Sequence, residues 1–438
     1  MNRNGRGIWA GAIRHYDGKF WVYLGTPDEG YFMSTAKDPA GPWEPLRPIM
    51  KQVGWDDCCP FWDDDGQGYL VGTCFKDGYK VWLFKLTSDG RDLVSEWRVL
   101  LTEGSGREAN KLYKLNGLFY HYFSEVRPEG RVPMMGRAKS ITGPYEYRQL
   151  MHVNRTEDRE PNQGGLVQSE AGDWWFFTHH GTGDWEGRCA SLLPVTWVDE
   201  WPILGKVGPD GIGNMVWSFR KPVANAPLAG PQTDDAFKAQ KLGAQWEWNY
   251  QPRADKWSLA ERPGFLRLRA FKPLERDNLK RAGNTLTQRS LRTGTNVVTL
   301  AMDISGMADG QVAGLCHYSK DCCTIGVRCQ GGILTLESAR DPQTIARGPA
   351  VTTKRIWLQS SWGLEGKSQF AFSTNGTAFT PFGEPYQLGW GDYRGDRVGI
   401  FTDNNDAEAG CVDCDSFTYN YDSPAPRARL GGANESAK

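Results

Sequence analysis

The sequence predicts an all-β chain, a β-propeller followed by a β-sandwich, and three observations carry the prediction. A hairpin signal recurs about every fifty residues through the first half. Aromatic residues and glycine are abundant, with 19 Trp, 19 Phe, 16 Tyr and 52 Gly among 438 residues. In the second half the strands become shorter and alternate apolar with polar residues, while helical periodicity is scarce throughout.

The repeat lies in four segments that share a polar turn closing on glycine and an aromatic-rich run: "YDGKFWVYLG", "DDDGQGYLVG", "LNGLFYHYFS" and "EAGDWWFFTH". Their turn glycines, Gly18, Gly66, Gly117 and Gly172, are 48, 51 and 55 residues apart. Asp-Gly and Asn-Gly favour tight hairpins because both positions tolerate positive φ. A second element, "STAKDPAGPWE" and "GRAKSITGPYE", recurs 102 residues apart, about two periods, and reads as an outer strand. Units of this length, each with a hairpin at a fixed place, are blades of a propeller, and four are visible. The expected organisation is a propeller over 1–222, a Pro/Ala/Gly-rich linker over 223–233, a sandwich over 234–422 and a tail over 423–438.

Composition excludes several functions. A net charge of −1 offers no basic excess for nucleic acid, and no apolar run of eighteen residues exists to span a membrane. The first residues form no signal peptide, and the chain starts abruptly, as if inside a folded domain; Met1 reads as an internal methionine or a fragment boundary. The ten cysteines include two vicinal pairs, Cys58-Cys59 and Cys322-Cys323, which reach disulfide geometry with difficulty. Cys411 and Cys414 have no second ligand pair beside them, so buried thiols are expected rather than zinc. Aromatic faces with interspersed Asp, Glu, Arg and Gln suit carbohydrate, whose C–H faces stack on rings and whose hydroxyls accept and donate hydrogen bonds.

Four segments in order, "GIWAGAIRHYDGKFWVY", "DCCPFWDDDGQGYL", "GSGREANKLYKLNGLFYHYFSE" and "NQGGLVQ…GRCASLLPVTWVDEWPILG", resemble glycoside hydrolase family 43. The second half resembles the β-sandwich of its β-xylosidase-like members. The resemblance implies a five-bladed propeller and an inverting glycosidase releasing terminal xylose or arabinose from xylan- or arabinoxylan-derived oligosaccharides. In such an enzyme one carboxylic acid protonates the leaving oxygen while a carboxylate activates water on the opposite face. No cofactor is required, a structural calcium is allowed, and localisation and self-association are left open.

Residue by residue, the resemblance places the general acid at Glu108 and the aspartate that tunes and orients it at Asp57. Without it, Glu108 reads as a surface glutamate at a strand edge, beside Arg107. Cys58 follows Asp57 where the family commonly has proline. Asp63, Asp64 and Asp65 belong to a hairpin tip and receive no chemistry. Trp9 corresponds to a wall of the sugar pocket, Arg188 to an arginine that bonds a sugar hydroxyl, and Gln163 to a position where many relatives have histidine. His179 corresponds to a histidine near a calcium ion or water in some relatives, and equally reads as a satisfied core imidazole. Tyr16, Trp21 and Trp43 are expected in the core.

The family's general base, an aspartate in a first-blade Asp-Pro motif, has no counterpart before Trp9, and Asp38-Pro39 belongs to the repeated outer element. The expectation is therefore a propeller lacking one blade and the base, with impaired turnover. Two competing readings are a non-catalytic carbohydrate-binding protein on a degenerate scaffold and a propeller that binds protein partners.

Overall fold

The computed structural model describes residues 7–153, 162–181, 184–223, 230–250, 252–340, 343–391 and 393–422. The expected tail, 423–438, and most of the expected linker, 224–229, lie outside the described residues. The chain divides into two compact units, residues 1–182 with 189–226, and residues 183–188 with 227–438.

The first unit is a propeller arrangement of four antiparallel four-stranded sheets in chain order. The first comprises β1 (Ala12–Tyr16), β2 (Lys19–Thr26), β3 (Gly30–Ala36) and β4 (Arg47–Met50). The second comprises β5 (Trp55–Trp62), β6 (Gly68–Cys74), β7 (Lys80–Leu86) and β8 (Leu93–Thr102). The third comprises β9 (Glu108–Leu115), β10 (Leu118–Arg127), β11 (Gly130–Ala138) and β12 (Glu146–Gln149). The fourth comprises β13 (Asn162–Gln168), β14 (Trp174–Gly181), β15 (Arg188–Val198) and β16 (Trp201–Leu204).

The turns form where the sequence places them. Asp17-Gly18 joins β1 to β2 and Asn116-Gly117 joins β9 to β10, with positive φ at all four residues. Gly66 and Gly172 close the corresponding turns of the other two sheets, also at positive φ. Asp38-Pro39 differs from expectation: it lies in the connection between β3 and β4, where the Asp38 side chain and carbonyl close a turn onto Ala40 and Gly41. An Asp-Pro-Ala-Gly sequence has turn chemistry, and it interrupts the strand.

Three apolar layers fill the spaces between successive sheets. Tyr23, Tyr31, Met33, Trp55 and Phe84 lie between the first and second. Cys59, Val71, Leu83, Leu112 and Phe119 lie between the second and third. Tyr120, Tyr122, Met135, Phe176 and Leu193 lie between the third and fourth. Because both faces of the second sheet are covered, β5 buries six consecutive residues, Trp55 to Pro60, and its two aspartates are buried with them. Ile13 of β1 and Val167 and Phe177 of the fourth sheet are instead about half exposed.

The second unit is a sandwich of two antiparallel sheets. Strand Arg355–Trp362 buries every second residue, the period-2 pattern of a sheet with one face on a core. Leu286, Leu300, Leu315, Ile325, Leu358 and Ile400 form the centre of that core. Eight of the ten cysteines, Cys58 and Cys59 included, are buried. Among the described residues no helix is long and apolar enough to cross a membrane.

Candidate active site

The inner strands of the second, third and fourth sheets share one irregularity. Each carries a β-bulge, and each bulge holds a non-glycine residue in the left-handed region: Asp57 (φ +50°), Ala109 (φ +69°) and Gln163 (φ +58°). Such a conformation costs about 1–2 kcal/mol for a residue with a Cβ, so three at matching places are a feature the packing enforces. A bulge also breaks the strict alternation of side chains and re-aims them. The residues just before these positions are therefore equivalent: Asp56, Glu108 and Asn162.

Around the bulges the side chains form one network. Asp57 is buried, and its Oδ2 accepts the backbone N–H of Ala109, the residue after Glu108. Its carbonyl accepts the Asn110 amide at 3.1 Å, and that amide also donates to Thr73 at 2.8 Å. Asn110 Oδ1 in turn accepts from His121 Nε2 at 2.9 Å. Burial pushes His121 down to about 3, so its ring is neutral and carries the proton on Nε2. The second sheet thus grips the strand that begins with Glu108 through both the backbone and the side chain of Asp57.

Glu108 opens β9 with its side chain a quarter exposed. Its Oε1 accepts Asn162 Nδ2 at 2.8 Å and meets Arg131 Nη1 at 3.1 Å. Arg131 also donates to the Gly106 carbonyl at 2.9 Å. Arg107, the expected neighbour of Glu108, points elsewhere: its Nε pairs with Glu125 at 2.6 Å, and its guanidinium bonds Thr102. Arg107 lies just before β9 and is engaged by Glu125 and Thr102, while Arg131 of β11 brings a cation to Glu108.

The environment of the aspartates is electrostatically tense. Burial pushes the Asp57 carboxyl up, and Lys111, the Ala109 N–H, Gln163 and Arg131 pull it back only in part. Asp56 is nine-tenths buried and is pushed up to about 8, first by burial and then by the neighbouring Asp57 carboxylate, with Glu108 adding to it. Its Oδ1 is buried without a hydrogen-bond partner among the described residues, and the Tyr31 hydroxyl donates to its carbonyl at 2.7 Å. Asp56, Asn162, Ser124 and Arg131 escaped the sequence reading. Superposing the repeats at the residue before each bulge, rather than at the turn glycines, would have aligned Asp56, Glu108 and Asn162 at intervals of 52 and 54.

The remaining expected residues fall as follows. Gln163 is at the third bulge, its side chain accepting from Lys111 Nζ at 3.3 Å and bonded to Asp57. Trp9 is half exposed and stacks on Phe75 with centroids 6.0 Å apart. His179, on β14, is the register partner of Asn162. Arg188 belongs to the second unit, where its guanidinium lies 4.2 Å from the Tyr393 ring centroid. Asp63 and Asp64 stand at their hairpin tip, ion-paired with Lys114. Tyr16 stacks on Trp62 at 4.7 Å, Trp21 is buried and Trp43 is partly buried. Among the described residues no group of three or more His, Cys, Asp or Glu is placed to hold a metal ion.

Residues 1–202 match the family described as glycosyl hydrolases family 43, and residues 234–420 match the β-xylosidase C-terminal concanavalin A-like domain. A β-xylosidase of Formosa agariphila is 32% identical over 97% of this chain and 80% of its own length. A non-reducing end α-L-arabinofuranosidase of Bacteroides ovatus is 31% identical over 61% of this chain and 53% of its own length. Among solved structures, a bifunctional GH43-CE protein of Bacteroides eggerthii superposes with a TM-score of 0.83 at 25% identity, covering 96% of this chain and 55% of that one.

Proposed function

The chain belongs to glycosyl hydrolases family 43, and on that premise we propose that it removes terminal xylose or arabinose from xylan- or arabinoxylan-derived oligosaccharides by inversion. Glu108 is the general acid that protonates the glycosidic oxygen, and Asp57 fixes its backbone and sets the charge it faces. Trp9 offers an exposed ring for a sugar face, and Gln163 an amide beside Asp57. The observation that carries the reading is the bond from the Ala109 N–H to Asp57, which ties the buried aspartate of one sheet to the glutamate of the next.

The chemistry follows from that pairing. An acid working near neutrality must hold a proton until the leaving oxygen takes it, and positioned proton transfer of this kind contributes about 10²–10⁴-fold. Water then attacks the anomeric carbon from the opposite face, with its proton passing to a carboxylate base; the sequence before Trp9 offers no Asp-Pro counterpart of that base, so the turnover proposed for these residues alone is impaired. Glu108 and Asp57 act on the leaving-group side.

The test is hydrolysis of 4-nitrophenyl β-D-xylopyranoside and 4-nitrophenyl α-L-arabinofuranoside by the chain, with the first-formed anomer read by proton NMR. Turnover giving the inverted anomer supports the proposal. Retention of configuration sinks the inverting mechanism, and binding of xylo-oligosaccharide without turnover leaves a carbohydrate-binding protein instead.

A further inference from the structure

Glu108 is held by two sheets at one oxygen atom. Arg131, on β11 of its own sheet, and Asn162, on β13 of the next, both reach Oε1, at 3.1 and 2.8 Å. The orientation of the Asn162 amide is not free to vary. Its Oδ1 accepts the Ser124 hydroxyl at 2.5 Å and the Gln163 backbone N–H at 2.8 Å. A flipped amide would set its NH2 against the Gln163 N–H, donor against donor, so the NH2 must face Glu108. Asn162 is only 3% exposed, and such a mismatch would be costly there. Ser124 is itself the register partner of Glu108 across β9 and β10, and Arg131 Nη1 lies 3.5 Å from its hydroxyl. The four side chains form a connected set that spans two sheets.

Two donors at Oε1 leave that atom as an acceptor in every protonation state. An acid proton on it would point at a guanidinium and an amide NH2, neither of which has a lone pair to accept it. We propose that Ser124, Asn162 and Arg131 are positioning residues that confine the transferable proton of Glu108 to Oε2, so that one defined oxygen delivers it to the leaving group. The inference rests on Glu108 being the general acid. In the step, the Oε2–H bond breaks and its proton forms a bond to the glycosidic oxygen. The C–O bond breaks with its electron pair going to that oxygen, which departs as an alcohol. Water forms the new bond to the anomeric carbon, and one of its O–H bonds breaks as the proton passes to a base or to solvent water on the opposite face. The negative charge left on Glu108 appears beside Arg131, which is already in place to meet it.

The test uses leaving groups of graded need for protonation. Asn162→Asp keeps the acceptor for Ser124 and Gln163 and replaces only the donor that faces Glu108. Its kcat/KM should fall about 10²-fold on xylobiose or a methyl glycoside. On the 2,4-dinitrophenyl glycoside, whose leaving group departs unprotonated, it should fall less than about 5-fold. Ser124→Ala, which removes one of the two bonds that hold the Asn162 Oδ1, should show the same split at roughly a tenth of the size, and Ser124→Thr should restore it. Since Ser124→Ala removes one hydroxyl, it serves if Asn162→Asp fails to fold. Equal losses on all leaving groups, or none, overturn the inference while leaving the glycosidase reading intact. Wild-type chain inactive on every substrate overturns both.

Discussion

Each unit buries an aspartate in a polar network, and the two networks differ in almost every respect that matters for chemistry. In the sandwich, Asp396 accepts from Ser290 at 2.9 Å and from His317 Nδ1 at 2.6 Å, and His317 Nε2 meets Ser360 at 2.8 Å and Ser368 at 3.1 Å. Aspartate, histidine and serine in that order are the components of a hydrolytic triad. Yet both Asp396 and His317 side chains have zero exposure, and Trp362, Phe370 and Tyr386 surround the imidazole. No substrate reaches it. In the propeller, Asp57 is equally buried, but it is bonded to the backbone beside a glutamate that is a quarter exposed, on strands that tolerate left-handed residues. A constellation of reactive side chains becomes a site only where strain and access coincide.

That contrast predicts opposite responses to substitution. Glu108→Gln should cost about 10²–10⁴-fold in kcat on substrates with poor leaving groups, with the melting temperature within a degree or two of wild type. A large stability loss with activity retained would dissolve the distinction. His317→Ala should do the reverse. Removing one partner of a buried pair costs about 3–5 kcal/mol, which calorimetry or denaturant unfolding of the sandwich transition would read. If His317→Ala instead abolished turnover with stability intact, the sealed network would have to be the functional one.

A subtler difference concerns pH. Asp56 has its folded value raised from 3.8 to about 8, so the folded state binds a proton that the unfolded state has released. Its contribution to stability is therefore full below about pH 4 and is lost as the pH rises towards 8. Asp56→Asn should flatten that decline, measured as the difference in melting temperature between pH 5 and pH 8. Asp403 of the sandwich, raised to about 7 by burial, imposes a fall of the same sign that the substitution leaves in place. An unchanged slope in the propeller transition would remove Asp56 from the account. Smallest of all, Asp64→Ala at the hairpin tip, where Asp64 is largely exposed, should change stability by less than about 1 kcal/mol.

Much of this was legible in the sequence, for identifiable reasons. Asp17-Gly18 and Asn116-Gly117 announce their turns because few other dipeptides accept positive φ twice. Glu108 and Asp57 were singled out through the motifs that contain them. The partners of Glu108 were not, because Arg131, Ser124 and Asn162 reach it across strand and sheet boundaries fixed by register, and register has no local spelling. The bulges were hidden for a related reason: their left-handed residues are Asp, Ala and Gln, where glycine would have given them away.

The repeated bulge has one more consequence, for how such a protein can change. Three consecutive sheets present the residue before the left-handed position in the same way, and those residues are now an acid, an acid and an amide. They act as interchangeable sockets on a common frame. A single codon change at Asp56 or Asn162 alters the chemistry offered there without any loop being rebuilt, so new specificities or a lost function can arise one socket at a time.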